Sequence, residues 1–309
     1  MKTYIRLLVF GFLMLPLWQV VVADDSLSLQ KVTENIYAIV GDLGNRSPDN
    51  LGNNATFGFV ITKDGVVLID SGGSYQGAGK IAKIIKNVTD KPVIYVINTG
   101  GQDHRWMGNG YFKKLGAKII ASEKAVEDQK LRTQDQFIVL GALIKDEGLK
   151  GTDAIYADQT FKQKLEIKIG GTSFLLYHAG QAHTPGDSFV YLVKQQVMFT
   201  GDIVYVDRML GVGSQSNSKS WLQVFEKMAK HKIKHLIPGH GKVTTLQQAY
   251  KDTYDYLLFL RKSVATFIKN GKDITDINQI DQAKFNYLKN YQVISGKNVQ
   301  QVFIEMEWE

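Results

Sequence analysis

The chain has 309 residues, 44% hydrophobic and 22% charged, a balance that suits a globular protein with a sizeable core and excludes a disordered or low-complexity chain. It contains no cysteine, which excludes disulfides, thiolate metal ligands and a cysteine nucleophile, so any metal must be held by imidazole, carboxylate or amide oxygen. The formal net charge is +7, but the lysines are dispersed in pairs such as Lys113-Lys114, with no arginine-rich run among aromatics, so a solvated basic surface is expected and a nucleic-acid site is not.

The first 23 residues stand apart. Lys2 and Arg6 precede an apolar run over residues 7–22, and Val21-Val22-Ala23 offers small residues before the polar Asp24-Asp25-Ser26. This is the pattern of a secretory signal peptide spanning residues 1–23, and it predicts a periplasmic or secreted mature chain. Pro16 and Gln19 interrupt the run, so no stable membrane anchor is expected after cleavage.

From Leu29 the pattern is sheet-rich. Strands are predicted at 35–40 and 57–62, separated by a loop at 44–56 rich in Gly, Asn and Pro. The apolar run 66–69 ends in Asp70-Ser71-Gly72-Gly73, and Ile81, Ile84, Ile85 and Val88 then show helical spacing. Strands follow at 93–97 and 117–120, then an amphipathic, charged helix over 122–148. Further strands fall at 165–169, 173–177, 189–193 and 197–200, a helix at 221–230, a strand at 233–237 and a long helix at 246–267. Strands followed by helices, twice over, predict one layered α/β domain across 24–262. Residues 263–309 form a C-terminal extension packed on that domain. Its alternating stretch at 299–308 reads as an edge strand after a closing helix, with oligomer contacts as the alternative.

One event recurs four times: an apolar strand ends, and within a few residues the chain presents Asp or His beside glycine. Asp103-His104 follow Gly100-Gly101-Gln102, His183 precedes Thr184-Pro185-Gly186, Asp202 follows Gly201, and His240 lies between Gly239 and Gly241. Glycine permits tight turns that aim a side chain back over a sheet edge, where α/β ligand sites gather. Three histidines and two aspartates so placed suit a borderline divalent metal such as zinc. His178, His231 and His235 lack the glycine-turn setting and read as structural or surface residues.

Taken together, Leu68-Ile69-Asp70-Ser71-Gly72, the run from Asn98-Thr99 through Asp103-His104 to Gly108-Asn109, Ala182-His183-Thr184-Pro185-Gly186, Phe199-Thr200-Gly201-Asp202 and Pro238-Gly239-His240-Gly241 resemble the ordered motifs of the metallo-β-lactamase superfamily. The runs around Asp103-His104-Arg105 and Asp202 to Arg208 are most similar to periplasmic metallohydrolases of the quinoprotein-relay and sulfur-oxidation type. The resemblance implies a four-layer αβ/βα sandwich with the metal site between the sheets. It also implies that Asp103, His104 and His240 are terminal ligands of one metal, that Asp202 is the bridging carboxylate, and that His183 belongs to the other metal. Asp70 would orient the ligand loop from behind. The family's His-x-His pair after Asn-Thr is missing. Gln102 offers only an amide oxygen as an auxiliary ligand, so one firmly held zinc is expected, with a second weak or absent.

Zinc with three or four protein ligands lowers the pKa of its water to about 7, and the resulting hydroxide would attack an ester, thioester or amide carbonyl of a small-molecule substrate. Asp103 would orient or deprotonate that water. The loop 44–56 and the segment 209–219 are expected to flank the pocket. Two other readings accompany this one: a weak β-lactamase, and a non-catalytic periplasmic accessory protein of the same fold. The sequence leaves the oligomeric state open.

Overall fold

The computed structural model describes residues 26–309 and the backbone of Val20–Asp24. Nineteen residues of the expected leader, 1–19, lie outside the described residues.

The first sheet runs in chain order: β1 (Val20–Asp24), β2 (Leu27–Thr33), β3 (Ile36–Gly41), β4 (Thr56–Ile61), β5 (Val66–Ile69), β6 (Val93–Asn98), β7 (Lys118–Ser122) and β8 (Gln159–Phe161). β1 to β5 pair antiparallel, and β5 to β8 pair parallel. The parallel strands are joined through helices α1 (Tyr75–Lys86), α2 (Asp103–Trp106), α3 (Asn109–Lys114) and α4 (Glu123–Leu149). The second sheet has the order β13-β12-β11-β10-β9, built from β9 (Lys164–Ile169), β10 (Thr172–Tyr177), β11 (Phe189–Leu192), β12 (Val197–Phe199) and β13 (His235–Ile237). Its pair β12/β13 is parallel. The outer helices here are α5 (Ser218–Ala229), α6 (Leu246–Ala249), α7 (Asp255–Lys269) and α8 (Tyr291–Met306).

The strands alternate between two cores. Val67 and Ile69 of β5 and Phe174 and Leu176 of β10 meet between the sheets. Val66 and Leu68 instead face Ile81, Ile84 and Ile85 of α1. Leu175 and Tyr177 face the layer built from Trp221 and Phe225 of α5 and Leu257 and Leu260 of α7. A strand apolar on both faces must be covered on both, which yields the αβ/βα sandwich. Each such buried side chain contributes about 1.5–3 kcal/mol. Helix starts follow from short polar caps. The Ser74 hydroxyl accepts from Gly77 N, that of Ser122 from Ala125 N, and the Asn217 amide oxygen from Ser220 N.

Three expectations differ from the structure. The stretch 299–308 is helical as far as Met306, not an edge strand: Val299, Val302 and Phe303 are buried together at helical spacing in the core with α7, and this contact overrides the short-range alternation. The long helix at 246–267 is interrupted by a π turn at Tyr250–Tyr254. β2 and β8 form as flanking strands where the sequence pattern was weak.

The chain directions place the site. β5, β6, β12 and β13 all end at one rim, where the two sheets are laced together. There Thr56 N donates to Gly239 O (2.7 Å), Thr56 Oγ1 donates to Gly241 O (2.6 Å), and Ser188 N donates to Thr99 O (2.7 Å).

Candidate metal centre

The loop leaving β6 is held by two amides and a carboxylate. Asn98 Nδ2 donates to Arg105 O (2.7 Å) and to Asn109 Oδ1 (3.0 Å), and Asn109 Nδ2 returns a bond to Asn98 Oδ1 (2.9 Å). Asp70, at φ 65° beyond the end of β5, accepts from Thr99 N (2.7 Å) and Thr99 Oγ1 (2.8 Å). Asp70 thus meets the ligand-bearing loop from behind. Burial pushes its carboxyl above the usual range, against the pull of Arg105.

Arg105 is fully buried and uses all five of its N–H donors. Nε and Nη2 bind the two oxygens of Asp202 (3.1 and 2.7 Å), and Nη1 binds Asp70 (2.9 Å). The remaining donors reach the carbonyls of Thr56 (3.0 Å) and Gly239 (2.8 Å). One guanidinium therefore ties β4, β5 and the turns after β6, β12 and β13 to a single point.

In front of it stand His104, Asp202 and His240, whose ligand atoms lie within 4.8 Å of one another. His104 Nε2 is 3.2 Å from Asp202 Oδ2, and His240 Nε2 is 3.2 Å from Asp202 Oδ1. All three are buried. Burial opposes ionisation of Asp202, but Arg105 and His104 overcome it and hold the carboxyl well below its ordinary range. His240 is depressed far below the ordinary imidazole range, first by burial and then by the charge of Arg208. Its buried Nε2 makes no well-aligned hydrogen bond, only the 3.2 Å approach to Asp202 Oδ1. A neutral imidazole with such an inward nitrogen beside an ionised carboxylate is a donor set that fits a divalent ion.

The other predicted site residues are placed differently. Asp103 stands apart from this trio. Its Oδ1 is 3.3 Å from His104 Nδ1, on the far side of the imidazole from Asp202, and it accepts from Arg46 Nε (3.1 Å). Burial raises its carboxyl, but Arg46 and His104 reverse this and drive it far down. His183 also stands apart. Its Nδ1 donates to Gly211 O (2.9 Å), its ring packs near Tyr205 and Trp221, and burial lowers it to about 4. Gln102 donates from Nε2 to Asp103 Oδ1 (3.3 Å), while its buried Oε1 has no partner.

The glycine turn in the stretch where the family carries its imidazole pair is closely packed. A Cβ on Gly100 would lie 2.5 Å from Asp187 Oδ1, and one on Gly101 would lie 1.9 Å from Asp128 Oδ2. The space beside the loop is filled from α4 and from the turn after His183.

Sequence reading missed three residues with large effects: Arg105, Arg46 and Arg208. Arg208 Nη1 lies 2.8 Å from His240 Nδ1, and Tyr205 stacks on the His240 ring at 4.4 Å. The available signal was an arginine next to, or six residues beyond, a metal-ligand candidate, or within the glycine-rich loop 44–56.

Comparison with known proteins agrees with this geometry. The family model for the metallo-beta-lactamase superfamily matches residues 51–240. The chain is 25% identical over 186 residues to metallo-beta-lactamase type 2 from Elizabethkingia meningoseptica, across 59% of this chain and 67% of that protein. It is 26% identical over 247 residues to metallo-beta-lactamase IND-1 from Chryseobacterium indologenes, across 78% and 93%. Among solved structures, a metallo-beta-lactamase from Pontibacter korlensis shares the fold at TM-score 0.55 and 21% identity, over 78% of this chain and 99% of that one. The stereoselective inverting sec-alkylsulfatase Pisa1 from Pseudomonas sp. does so at TM-score 0.66 and 16% identity, over 90% of this chain and 50% of that one. With the family match spanning more than half the chain and the His104, Asp202 and His240 cluster at the shared rim of the two sheets, this protein belongs to the metallo-beta-lactamase superfamily of metal-dependent hydrolases.

Proposed function

We propose that this protein is an exported hydrolase that binds one zinc ion per chain and cleaves an ester, thioester or amide-type bond in a small molecule. The observation that carries the reading is the buried trio of His104, Asp202 and His240, with His240 Nε2 making no well-aligned hydrogen bond and facing an ionised Asp202. Bound there, zinc supplies Lewis acidity and a water reactive near neutral pH. The chain's own residues do the rest. Arg105 holds Asp202 by both oxygens so that the carboxylate cannot rotate. The Asn54 carbonyl, 2.8 Å from His240 Nδ1, and Asp103 behind His104 are the acceptors that orient ligating imidazoles. Tyr205 and Trp221 close one wall with apolar surface near His183.

The test is elemental analysis of the purified protein together with turnover of an ester, thioester and β-lactam panel. About one zinc per chain with hydrolysis of at least one class is expected, following the single donor trio. Two tightly held ions per chain would show that Gln102 and His183 rebuild another site. Zinc binding without turnover of any class would favour the non-catalytic reading, which the filled space at Gly100 and Gly101 supports. Export follows from the leader pattern at residues 1–23. It predicts a mature N-terminus at Asp24, and mass spectrometry finding Met1 on the mature protein would refute it.

A further inference from the structure

Both imidazoles of the trio carry two incompatible neighbours on the nitrogen that faces away from Asp202. His240 Nδ1 lies 2.8 Å from the carbonyl oxygen of Asn54, which can only accept, and 2.8 Å from Arg208 Nη1, which can only donate. His104 Nδ1 lies 3.3 Å from Asp103 Oδ1 and 3.0 Å from Arg46 Nη2, the same conflict. One ring nitrogen cannot satisfy both. When Nδ1 carries the proton, it donates to Asn54 or Asp103, and Nε2 turns a lone pair inward as a metal ligand must. When arginine donates to Nδ1, the proton sits on Nε2, points at Asp202 and blocks coordination. Arginine and metal thus demand opposite tautomers of the same two rings.

Arg208 has a second peculiarity. It is 8% exposed, its Nε is buried without a partner, and among the described residues no carboxylate lies within ion-pair distance of it. Burial above all, and then the charge of Arg46, lower its guanidinium below the ordinary value, against the opposing pull of Tyr205, Asp202 and Asp42. Arg46, by contrast, already has Asp103 and keeps 17% of its side chain exposed. A buried guanidinium without a counter-charge is costly, and a guanidinium with Nε unpartnered and only Nη1 engaged, on His240 Nδ1, keeps donors free for the oxygens of an anion.

We propose that Arg208, together with Arg46, forms an oxyanion site beside the trio, and that an oxyanion bound there draws both guanidiniums off the imidazole Nδ1 atoms and so favours the metal-binding tautomers. Anion and metal then bind cooperatively. The inference rests on the metal reading above for its second half. The ligand chemistry is a carboxylate, sulfate or phosphate group, carried by the substrate or free in solution.

The test titrates zinc into the metal-free full-length chain by calorimetry, in sulfate and in chloride of matched ionic strength. Sulfate is expected to tighten zinc about tenfold, and zinc to tighten sulfate by the same factor, because the coupling is reciprocal. Arg208→Gln and Arg46→Gln are expected to bind zinc at least as tightly as the sulfate-loaded wild type, and to lose the sulfate dependence. The second variant lies on a partly exposed loop and serves if the first does not fold. Zinc affinity indifferent to sulfate, or weakened in both variants, overturns the coupling. If zinc does not bind in any condition, the metal reading fails. Sulfate binding to the zinc-free chain then decides the anion site alone: binding lost in Arg208→Gln supports it, and no binding to wild type overturns it. A carboxylated aryl ester and its neutral methyl ester separate the sources. Sulfate inhibiting only the carboxylated ester assigns the site to substrate, and sulfate activating both assigns it to a free oxyanion.

Discussion

On the side of β12 and β13, His104, Asp202 and His240 converge around one point and leave a ligand nitrogen without a well-aligned hydrogen bond. On the side of Gly100 and Gly101, the corresponding space is taken up by Asp187 and Asp128, and the carboxylates there are engaged with Thr184 and Arg132. The first region is electrostatically unfinished and the second is closed. The turn after β6 serves both regions: its Gly100 and Gly101 pack against Asp187 and Asp128, and three residues on, its His104 meets Asp202 and His240.

The largest expected effect separates the two halves directly. His240→Ala or His104→Ala should strip zinc from the protein on dialysis, since each removes one of the three candidate donors that converge among the described residues. His183→Ala should retain most of it, with a loss of no more than about 10–100-fold in affinity, as for an outer contact. Zinc retention measured side by side checks this. If His183→Ala lost the ion as completely as His240→Ala, the ion would instead be shared between both halves.

A smaller effect tests what holds the unfinished half together without a metal. Arg105→Met leaves Asp70 and Asp202 buried without their common counter-charge and should cost about 3–5 kcal/mol in urea unfolding. Asp103→Asn should cost much less, because its partner Arg46 remains partly exposed and can be hydrated. Equal losses would mean that the guanidinium fork is not what joins the two sheets.

The effect in the closed half is read as a slope with pH. Burial, and then the nearby charge of Asp202, pushes the Asp187 carboxyl up to about 8, so the native protein keeps a proton that the unfolded chain has already released. The native state binds more protons between the ordinary aspartate pKa of about 3.9 and the raised value, so stability should fall as pH rises through that window, by at most about 1.4 kcal/mol per unit. Asp187→Asn should flatten that slope. An unchanged difference between wild type and variant across the window would show that Asp187 is ionised in the native state.

Much of the fold was legible because its signals are local. The apolar run 66–69, the helical spacing of Ile81, Ile84 and Ile85, and the alternation of Phe174 and Leu176 with Leu175 and Tyr177 each satisfy one period, and the structure follows them within a residue or two. The stretch 299–308 was misread because its alternation was too short to outweigh burial against α7, which no local pattern records.

The sequence by itself pointed to the turns: glycine next to His or Asp at a strand end is a short-range signal, and it singled out Asp103, His104, His183, Asp202 and His240, of which the structure brings His104, Asp202 and His240 together. Only the tertiary structure decided which of Asp103 and His104 faces Asp202, because adjacent side chains on one helical turn point in different directions and packing selects between them. It also decided the arginines. Arg46, Arg105 and Arg208 come from three separate segments, and their meeting around two imidazoles and three carboxylates exists only once both sheets have closed on one rim.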